Sequence, residues 1–135
     1  MLYQVLDAFD IYPRYDLNIM RNRQSLVGIS SRILHNLEKV VKREKPDMIL
    51  VHGDTSSTFV AAFLGFYMNV RVGHVEAGLR TYNIREPFPE EMNRVLTSPL
   101  ASIHFSPSEK AKQNLLKEGI PEDIIYLTGN TAVDS

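Results

Sequence analysis

The sequence predicts an α/β fold built on a parallel sheet with helices on both faces. Short apolar runs of strand length alternate along the chain with longer segments whose apolar residues recur at helical spacing. Most connections between successive apolar runs are too long for β-hairpins. Strands that are joined through helices in this way form parallel sheets with right-handed crossovers.

Two helices are predicted before the first strand. Apolar residues at helical spacing open the chain, at Leu2, Val5, Leu6 and Phe9. Residues 11–22 are read as irregular, although Asp16–Ile19 could form a short strand. A longer apolar stripe follows, with Ser25 as its candidate N-cap and Pro46 as its stop. The stripe consists of Leu26, Ile29, Ile33, Leu34, Leu37, Val40 and Val41.

Four short apolar runs predict the strands of the sheet. Met48–Val51 is a continuous apolar run, which is typical of a strand buried on both faces of a parallel sheet. The other predicted strands are Val70–Val75, Ser102–Phe105 and Ile124–Leu127. The helices between them are predicted from about Thr55 to Phe66, at Glu90–Leu96, and from Ser108 to just before Gly119.

The composition is that of an ordinary globular domain. The chain has 135 residues, of which 44% are hydrophobic and 23% charged, and its net charge is -1. This charge gives no reason to expect a nucleic acid or a membrane surface as a partner. No apolar run approaches the ~20 residues that span a bilayer. There is no cysteine, so a disulfide or a thiolate site is excluded. These features fit a cytoplasmic protein.

Two acids stand at the ends of predicted neighbouring strands. Asp54 follows the first strand in the run His52-Gly53-Asp54, and Glu76 follows the second in the run His74-Val75-Glu76. Ligands of open α/β sheets bind in the crevice at the carboxyl ends of the strands. A partly desolvated acid there can act as a general acid or base. Asp54 could instead cap the helix that follows it.

The remaining polar motifs leave alternatives open. Glu90 and Glu91 begin a predicted helix, where acids stabilise the helix dipole, so their spacing alone favours a structural role. His52 and His74, each two residues before an acid, could be metal ligands, although neither pair has an established zinc spacing. No GxGxxG or Walker motif is present, so classical dinucleotide or NTP binding is not supported.

A set of motifs in this order resembles the non-hydrolysing UDP-N-acetylglucosamine 2-epimerases. The motifs are HGDT, GHVEAGLRT, PFPEEMNR, HFSPSEKAKQNLLKEGI and TGNTAVDS, with LYQVLDAFDI and DLNIMRNRQSL near the start. The resemblance implies a Rossmann-like domain of a two-domain, glycosyltransferase-B-type fold. It also implies conversion of UDP-N-acetylglucosamine to UDP-N-acetylmannosamine by elimination and re-addition of UDP, without a metal or another cofactor.

The resemblance also assigns roles to individual residues. It places the catalytic acids at Asp54, Glu76 and Glu90, which overrules the structural interpretation of Glu90. Arg23 and Gln24 match the region where bacterial members bind a second UDP-N-acetylglucosamine as an allosteric activator. Two further arginines are anion partners or loop braces; these are Arg80 and Arg94. Intact relatives are homodimers, and the resemblance implies polysaccharide biosynthesis as the pathway.

The family pattern extends beyond this chain at both ends. The first strand with its phosphate loop and the C-terminal domain are expected to be absent, so residues 1–135 form an incomplete N-terminal domain. We therefore expect the chain alone to be inactive. Three alternatives remain at this point: a hydrolysing relative, a metal-dependent hydrolase, and a non-catalytic remnant that binds nucleotide-sugar.

Overall fold

A computed structural model describes residues 2–133 of the chain. It contains five α-helices and four strands among these residues. In chain order they are α1 (Leu2–Ala8), α2 (Leu26–Glu44), β1 (Met48–His52), α3 (Ser56–Tyr67), β2 (Arg71–Val75), α4 (Glu90–Leu100), β3 (Ile103–Ser106), α5 (Glu109–Lys117) and β4 (Ile125–Leu127). The last two residues of the TGNTAVDS motif, Asp134 and Ser135, lie outside the described residues.

The four strands form one parallel sheet in the order β1-β2-β3-β4. The predicted parallel α/β sheet is therefore confirmed. Each of the first three strands is followed by a helix that leads to the next strand, and the sheet is traversed in a single direction. Right-handed crossovers then place all three connecting helices on the same face.

The burial of alternate residues shows which face of the sheet the helices cover. Val51 and Val72 point to the covered face and pack with Ala62 of α3 and with Ala101 at the end of α4. On the opposite face, Leu50 remains 64% exposed. The prediction of helices on both faces is therefore met on one face within residues 2–133. The prediction that Met48–Val51 is buried on both faces is wrong, because continuous apolar character does not reveal which face of the sheet the helices cover.

Local capping signals place the helix ends as predicted. The Ser25 hydroxyl accepts a hydrogen bond from the Gly28 amide at 3.0 Å, and α2 begins at the next residue. Ser108 caps α5 in the same way through the Ala111 amide. No strand forms at Asp16–Ile19, where Asn18 has a φ of 44° that is incompatible with extended backbone.

Helix α4 buries more polar side chains than any other described helix. It extends to Leu100, four residues beyond the predicted end, and passes through Pro99. Its buried residues are Glu91, Asn93, Thr97 and Ser98. Such groups require hydrogen-bond partners inside the protein. In residues 2–133, no helix is both long and apolar enough to cross a membrane.

Candidate active site

Asp54 lies in the turn after β1 and is held by an arginine of α4. Its Oδ2 atom accepts hydrogen bonds from Arg94 Nη2 at 2.5 Å and from Arg94 Nε at 3.1 Å. Thr55, not Asp54, caps α3, because the Thr55 hydroxyl accepts the Thr58 amide. The capping alternative for Asp54 is therefore wrong. The carboxylate is free to face the carboxyl edge of the sheet, braced from one side by Arg94.

Glu91 anchors the other end of the same arginine. Its Oε2 atom accepts Arg94 Nη1 at 3.2 Å, and its Oε1 atom accepts the amides of Thr81 and Tyr82, each at 2.9 Å. Burial acts to raise the pKa of Glu91, but the Tyr82 and Thr81 amides and the Arg94 guanidinium outweigh it, so the pKa lies below its ordinary value. Glu91 thus ties the loop after β2 to Arg94 and, through it, to Asp54.

Glu76 is the first residue after β2 and lies directly beside the turn that carries Asp54. A Cβ atom built on Gly53 would lie 3.5 Å from Glu76 Oε2, so the Glu76 carboxylate passes over the residue that precedes Asp54. The same oxygen lies 3.7 Å from Nε2 of His52. Glu76 has a φ of 68°, a left-handed conformation that is uncommon outside glycine and asparagine. Strained positions of this kind often occur at functional sites.

Glu90 is the first residue of α4 and faces a cleft of about 260 Å³. Thr55, Ser56 and Ser57, which follow Asp54, line the same cleft. Its other wall comes from the irregular segment and the start of α2, through Ile19, Met20, Leu26 and Ile29. The structure therefore brings Glu90 and the residues directly after Asp54 to one cleft, while Glu91, one position later, is buried in the protein.

The two histidines of the metal hypothesis do not converge. His52 pairs in register with Val75, so the adjacent residue His74 points to the opposite face of the sheet. His52 is exposed, whereas His74 is fully buried and its Nε2 bonds the Gly53 carbonyl at 2.8 Å. Within residues 2–133 no group of three or more His, Asp or Glu side chains is arranged to hold a metal ion.

Arg80 is engaged within the protein. Its buried guanidinium bonds both carboxylate oxygens of Glu118, the Leu79 carbonyl and the Ser98 hydroxyl. This arrangement is that of a loop brace, which joins the loop after β2 to α4 and α5. Arg94 acts as a brace in the same sense. A direct contact of either arginine with a ligand stays a prediction.

Arg23 and Gln24 lie just before α2. Gln24 is held through its Oε1, which accepts the Arg21 amide at 3.0 Å and also accepts a hydrogen bond from Arg32. Arg23 is exposed and has a φ of 54°. Met20 and Leu26, which flank the pair in the sequence, line the cleft that contains Glu90. Along the chain, the pair therefore lies between two residues that line the cleft containing Glu90.

The sequence indicates for Glu91 only a helix-start role, and it does not single out Asn93. Both lie in the PEEMNR motif, where only Glu90 and Arg94 were assigned roles. Asn93 Nδ2 donates to the Asp54 carbonyl at 2.8 Å. The sequence did contain an indication: polar residues occur on all sides of α4, so some of them must face the core.

Comparison with known proteins places this geometry in a family. The family model described as UDP-N-acetylglucosamine 2-epimerase matches residues 1–135. The UDP-N-acetylglucosamine 2-epimerases of Bacillus subtilis strain 168 and Escherichia coli K12 are 55% and 51% identical over 135 residues, which is 100% of this chain and 36% of each relative. The chain thus spans about 36% of the length of these curated relatives.

Solved structures give the same result. The Neisseria meningitidis UDP-GlcNAc 2-epimerase bound to UDP-GlcNAc matches with a TM-score of 0.96 and 53% identity, over 98% of this chain and 36% of that one. The Methanocaldococcus jannaschii enzyme in complex with UDP-GlcNAc and UDP matches with a TM-score of 0.90 and 41% identity, over 96% and 35%. On this evidence the chain belongs to the UDP-N-acetylglucosamine 2-epimerase family.

Proposed function

We propose that this chain supplies the acid-bearing wall of an epimerase that interconverts UDP-N-acetylglucosamine and UDP-N-acetylmannosamine. The observation that carries the proposal is the position of three acids around the turn that follows β1. Glu76 lies over Gly53 next to Asp54, and Glu90 shares its cleft with the residues that follow Asp54. Solved relatives of the same fold are described as bound to UDP-GlcNAc.

Epimerisation at carbon 2 requires two proton transfers. In the first half, the carbon 2 proton passes to a base and the bond from carbon 1 to UDP breaks, with its electron pair leaving on UDP. A carbon 1–carbon 2 double bond forms, giving 2-acetamidoglucal. In the second half, UDP re-forms its bond to carbon 1, and carbon 2 takes a proton on the opposite face. Carboxylates can act as acid and base, and can stabilise positive charge at carbon 1.

The environments of the three acids suit different parts of this chemistry. Asp54 is fixed by two hydrogen bonds from Arg94, so its carboxylate is the most firmly positioned of the three. The Glu76 carboxylate lies 3.7 Å from the imidazole of His52, and Glu90 lines the open cleft. We assign charge stabilisation at carbon 1 to Asp54 and proton transfer at carbon 2 to Glu76 and Glu90.

We propose that catalysis requires a longer protein than residues 1–135. The relatives are much longer, since this chain matches 36% of the Bacillus subtilis relative, and the unmatched part would supply the rest of the active site. We propose that residues 1–135 are part of an N-terminal Rossmann-like domain in a two-domain, glycosyltransferase-B-type protein whose first strand and C-terminal domain lie outside them. The complete unit would be a cytoplasmic homodimer.

We further propose that Arg23 and Gln24 contribute to binding a second UDP-N-acetylglucosamine as an activator. Supporting this, Met20 and Leu26, which lie before and after the pair in the sequence, line the cleft that contains Glu90. A ligand at Arg23 and Gln24 would therefore lie beside the substrate, where it could close one wall of the cleft.

A chimera tests the proposed function. Residues 1–135 replace the matching 36% of the Bacillus subtilis relative. Proton NMR then follows the conversion of UDP-N-acetylglucosamine. The proposal expects UDP-N-acetylmannosamine from the chimera and none from the 135-residue chain alone. Release of free N-acetylmannosamine and UDP would instead show a hydrolysing enzyme. An inactive chimera whose isolated 135-residue segment still binds UDP-N-acetylglucosamine in calorimetry would show a non-catalytic binding module.

A further inference from the structure

Three successive carbonyls of the turn that carries Asp54 each accept a hydrogen bond from a side chain. Thr58 Oγ1 donates to the His52 carbonyl at 2.7 Å. His74 Nε2 lies 2.8 Å from the Gly53 carbonyl, and Asn93 Nδ2 donates to the Asp54 carbonyl at 2.8 Å. About two-thirds of the hydrogen bonds in proteins join backbone groups, so three successive carbonyls that each accept from a side chain are an unusual concentration.

The three donors are buried and come from three different elements. Thr58 belongs to α3, His74 to β2 and Asn93 to α4, and none of them is more than 6% exposed. The Gly53 amide is fixed as well, because it donates to the Val75 carbonyl at 3.0 Å. The turn is thus held from the helix that follows it, from the neighbouring strand and from the helix that bears Glu90.

His74 has a defined protonation pattern in this arrangement. A carbonyl oxygen can only accept, so the His74 Nε2 atom must carry the proton. Burial lowers the pKa of His74, against the opposing effect of the Gly53 carbonyl, so the ring is neutral near pH 7. The imidazole therefore acts as a fixed donor beneath the turn, on β2 and two residues before Glu76.

We propose that Thr58, His74 and Asn93 are positioning residues that fix the turn at residues 52–54 and thereby aim the Asp54 carboxylate. They set the direction of the backbone, and Arg94 then holds the carboxylate from the side. Glu76 directly follows β2, and Glu90 begins α4. The same bonds therefore fix the positions of the three acids relative to one another. The catalytic consequence rests on the proposed function, whereas the geometric one does not.

Isosteric variants with matched controls test the proposal. Thr58→Val keeps the side-chain shape but removes the donor, and Thr58→Ser restores it. Thr97→Val is the control, because Thr97 is equally buried on α4 but bonds a carbonyl of its own helix, that of Asn93. For the histidine, His74→Leu removes the donor and His74→Gln restores one at a similar position. His104→Leu is the control, since His104 is a buried neighbour that does not bond the turn.

The first readout is carbon-13 NMR of the 135-residue chain. In Thr58→Val and His74→Leu, the carbonyl resonances of residues 52–54 and the Asp54 carboxyl resonance are expected to shift. Thr58→Ser and His74→Gln are expected to move them back toward their original positions. Shifts at the turn no larger than those in Thr97→Val and His104→Leu would overturn the proposal.

The second readout is the kinetics of the chimera. The donor-less variants are expected to lower kcat about tenfold or more while KM changes within about twofold, because misaimed catalytic groups reduce the rate rather than binding. Equal losses of kcat in the controls would also overturn the proposal. If the unmodified chimera is inactive, the proposed function fails, and the NMR comparison still decides whether the three residues hold the turn.

Discussion

The Arg94 guanidinium binds one carboxylate oxygen of Asp54 through two nitrogens, across 40 residues of sequence. With its third nitrogen it binds Glu91, which is buried. Burial by itself lowers the pKa of Arg94, but Asp54 and Glu91 raise it above its ordinary value. The cation is thus shared between an acid of the candidate site and an acid of the protein interior.

Removing this shared cation is expected to destabilise the fold and the site together. Arg94→Gln leaves Glu91 buried without its ionic partner, which costs about 3 kcal/mol in the free energy of unfolding. Urea unfolding measures this loss. The control is Lys42→Gln, which breaks the exposed pair between Lys42 and Glu38. That variant is expected to unfold at the same urea concentration as the unmodified chain. Equal midpoints for both variants would contradict the role of Arg94.

The neighbouring acids Glu90 and Glu91 are expected to separate activity from stability. Glu91→Gln removes a buried charge that accepts three hydrogen bonds and should cost about 2 kcal/mol. Glu90→Gln changes a residue that lines the cleft, so the urea midpoint is expected to stay within experimental error. In the chimera, by contrast, Glu90→Gln is expected to lower turnover strongly although the variant stays as stable as the unmodified protein. Unfolding of Glu90→Gln at lower urea than Glu91→Gln would refute this assignment.

Much of this arrangement could be predicted from sequence, and the missing parts have a physical explanation. The strand ends that carry Asp54 and Glu76 follow from local apolar runs, and the caps Ser25 and Ser108 follow from chemistry within one helical turn. Which of Glu90 and Glu91 faces the cleft depends on which side of α4 packs against the sheet. Adjacent helical residues differ by about 100° in direction, so only tertiary packing decides it.

The pairing of residues that are distant in the sequence, and the face of the sheet on which each helix packs, could not be predicted from the sequence either. Arg94 finds Asp54 only after α3 and α4 have packed on the same face of the sheet. That face is set by the strand order β1-β2-β3-β4, which alternating apolar runs do not specify. The exposed position of Leu50 has the same origin. Periodicity identifies elements, whereas the neighbours of each element depend on the complete topology.

The buried histidine of β3 is expected to make the fold sensitive to acid. Burial lowers the pKa of His104 from 6.5 to about 4, with additional repulsion from His74 and Arg80. The unfolded chain therefore binds a proton that the folded chain does not, and stability falls as the pH drops from about 6.5 toward 4. The loss attributable to His104 approaches about 3 kcal/mol. Urea midpoints measured between neutral pH and pH 4 follow it.

A variant distinguishes His104 from the carboxylates. The lowered pKa of Glu91 also favours the folded state at higher pH, but its stabilisation is present above its ordinary pKa of 4.5 and is lost below it. His104→Gln cannot titrate, so its stability is expected to change less between pH 6.5 and 5 than that of the unmodified chain. An identical slope for both proteins in this interval would show that His104 is not the source.

Gly78, in the loop after β2, is expected to tolerate no side chain. It has a φ of 94°, and a Cβ there would lie 2.8 Å from the Ala111 carbonyl carbon and 3.0 Å from Leu115 Cγ. Gly119 has a similar φ of 86° but no atom within 4 Å of such a Cβ. Gly119→Ala is expected to cost about 1 kcal/mol from its backbone alone. Gly78→Ala adds overpacking of about 1 to 3 kcal/mol. Equal thermal midpoints would rule out the close approach to α5.

We propose that Asp54 stabilises positive charge at carbon 1 of a nucleotide-sugar, while Glu76 and Glu90 transfer protons at carbon 2. The most direct measurement is deuterium incorporation by the chimera in D₂O, followed by NMR and mass spectrometry of the product. The account predicts UDP-N-acetylmannosamine carrying deuterium at carbon 2. It also predicts that Asp54→Asn, Glu76→Gln and Glu90→Gln each reduce turnover by about 10² or more. A product without deuterium, or full turnover in all three variants, would contradict it.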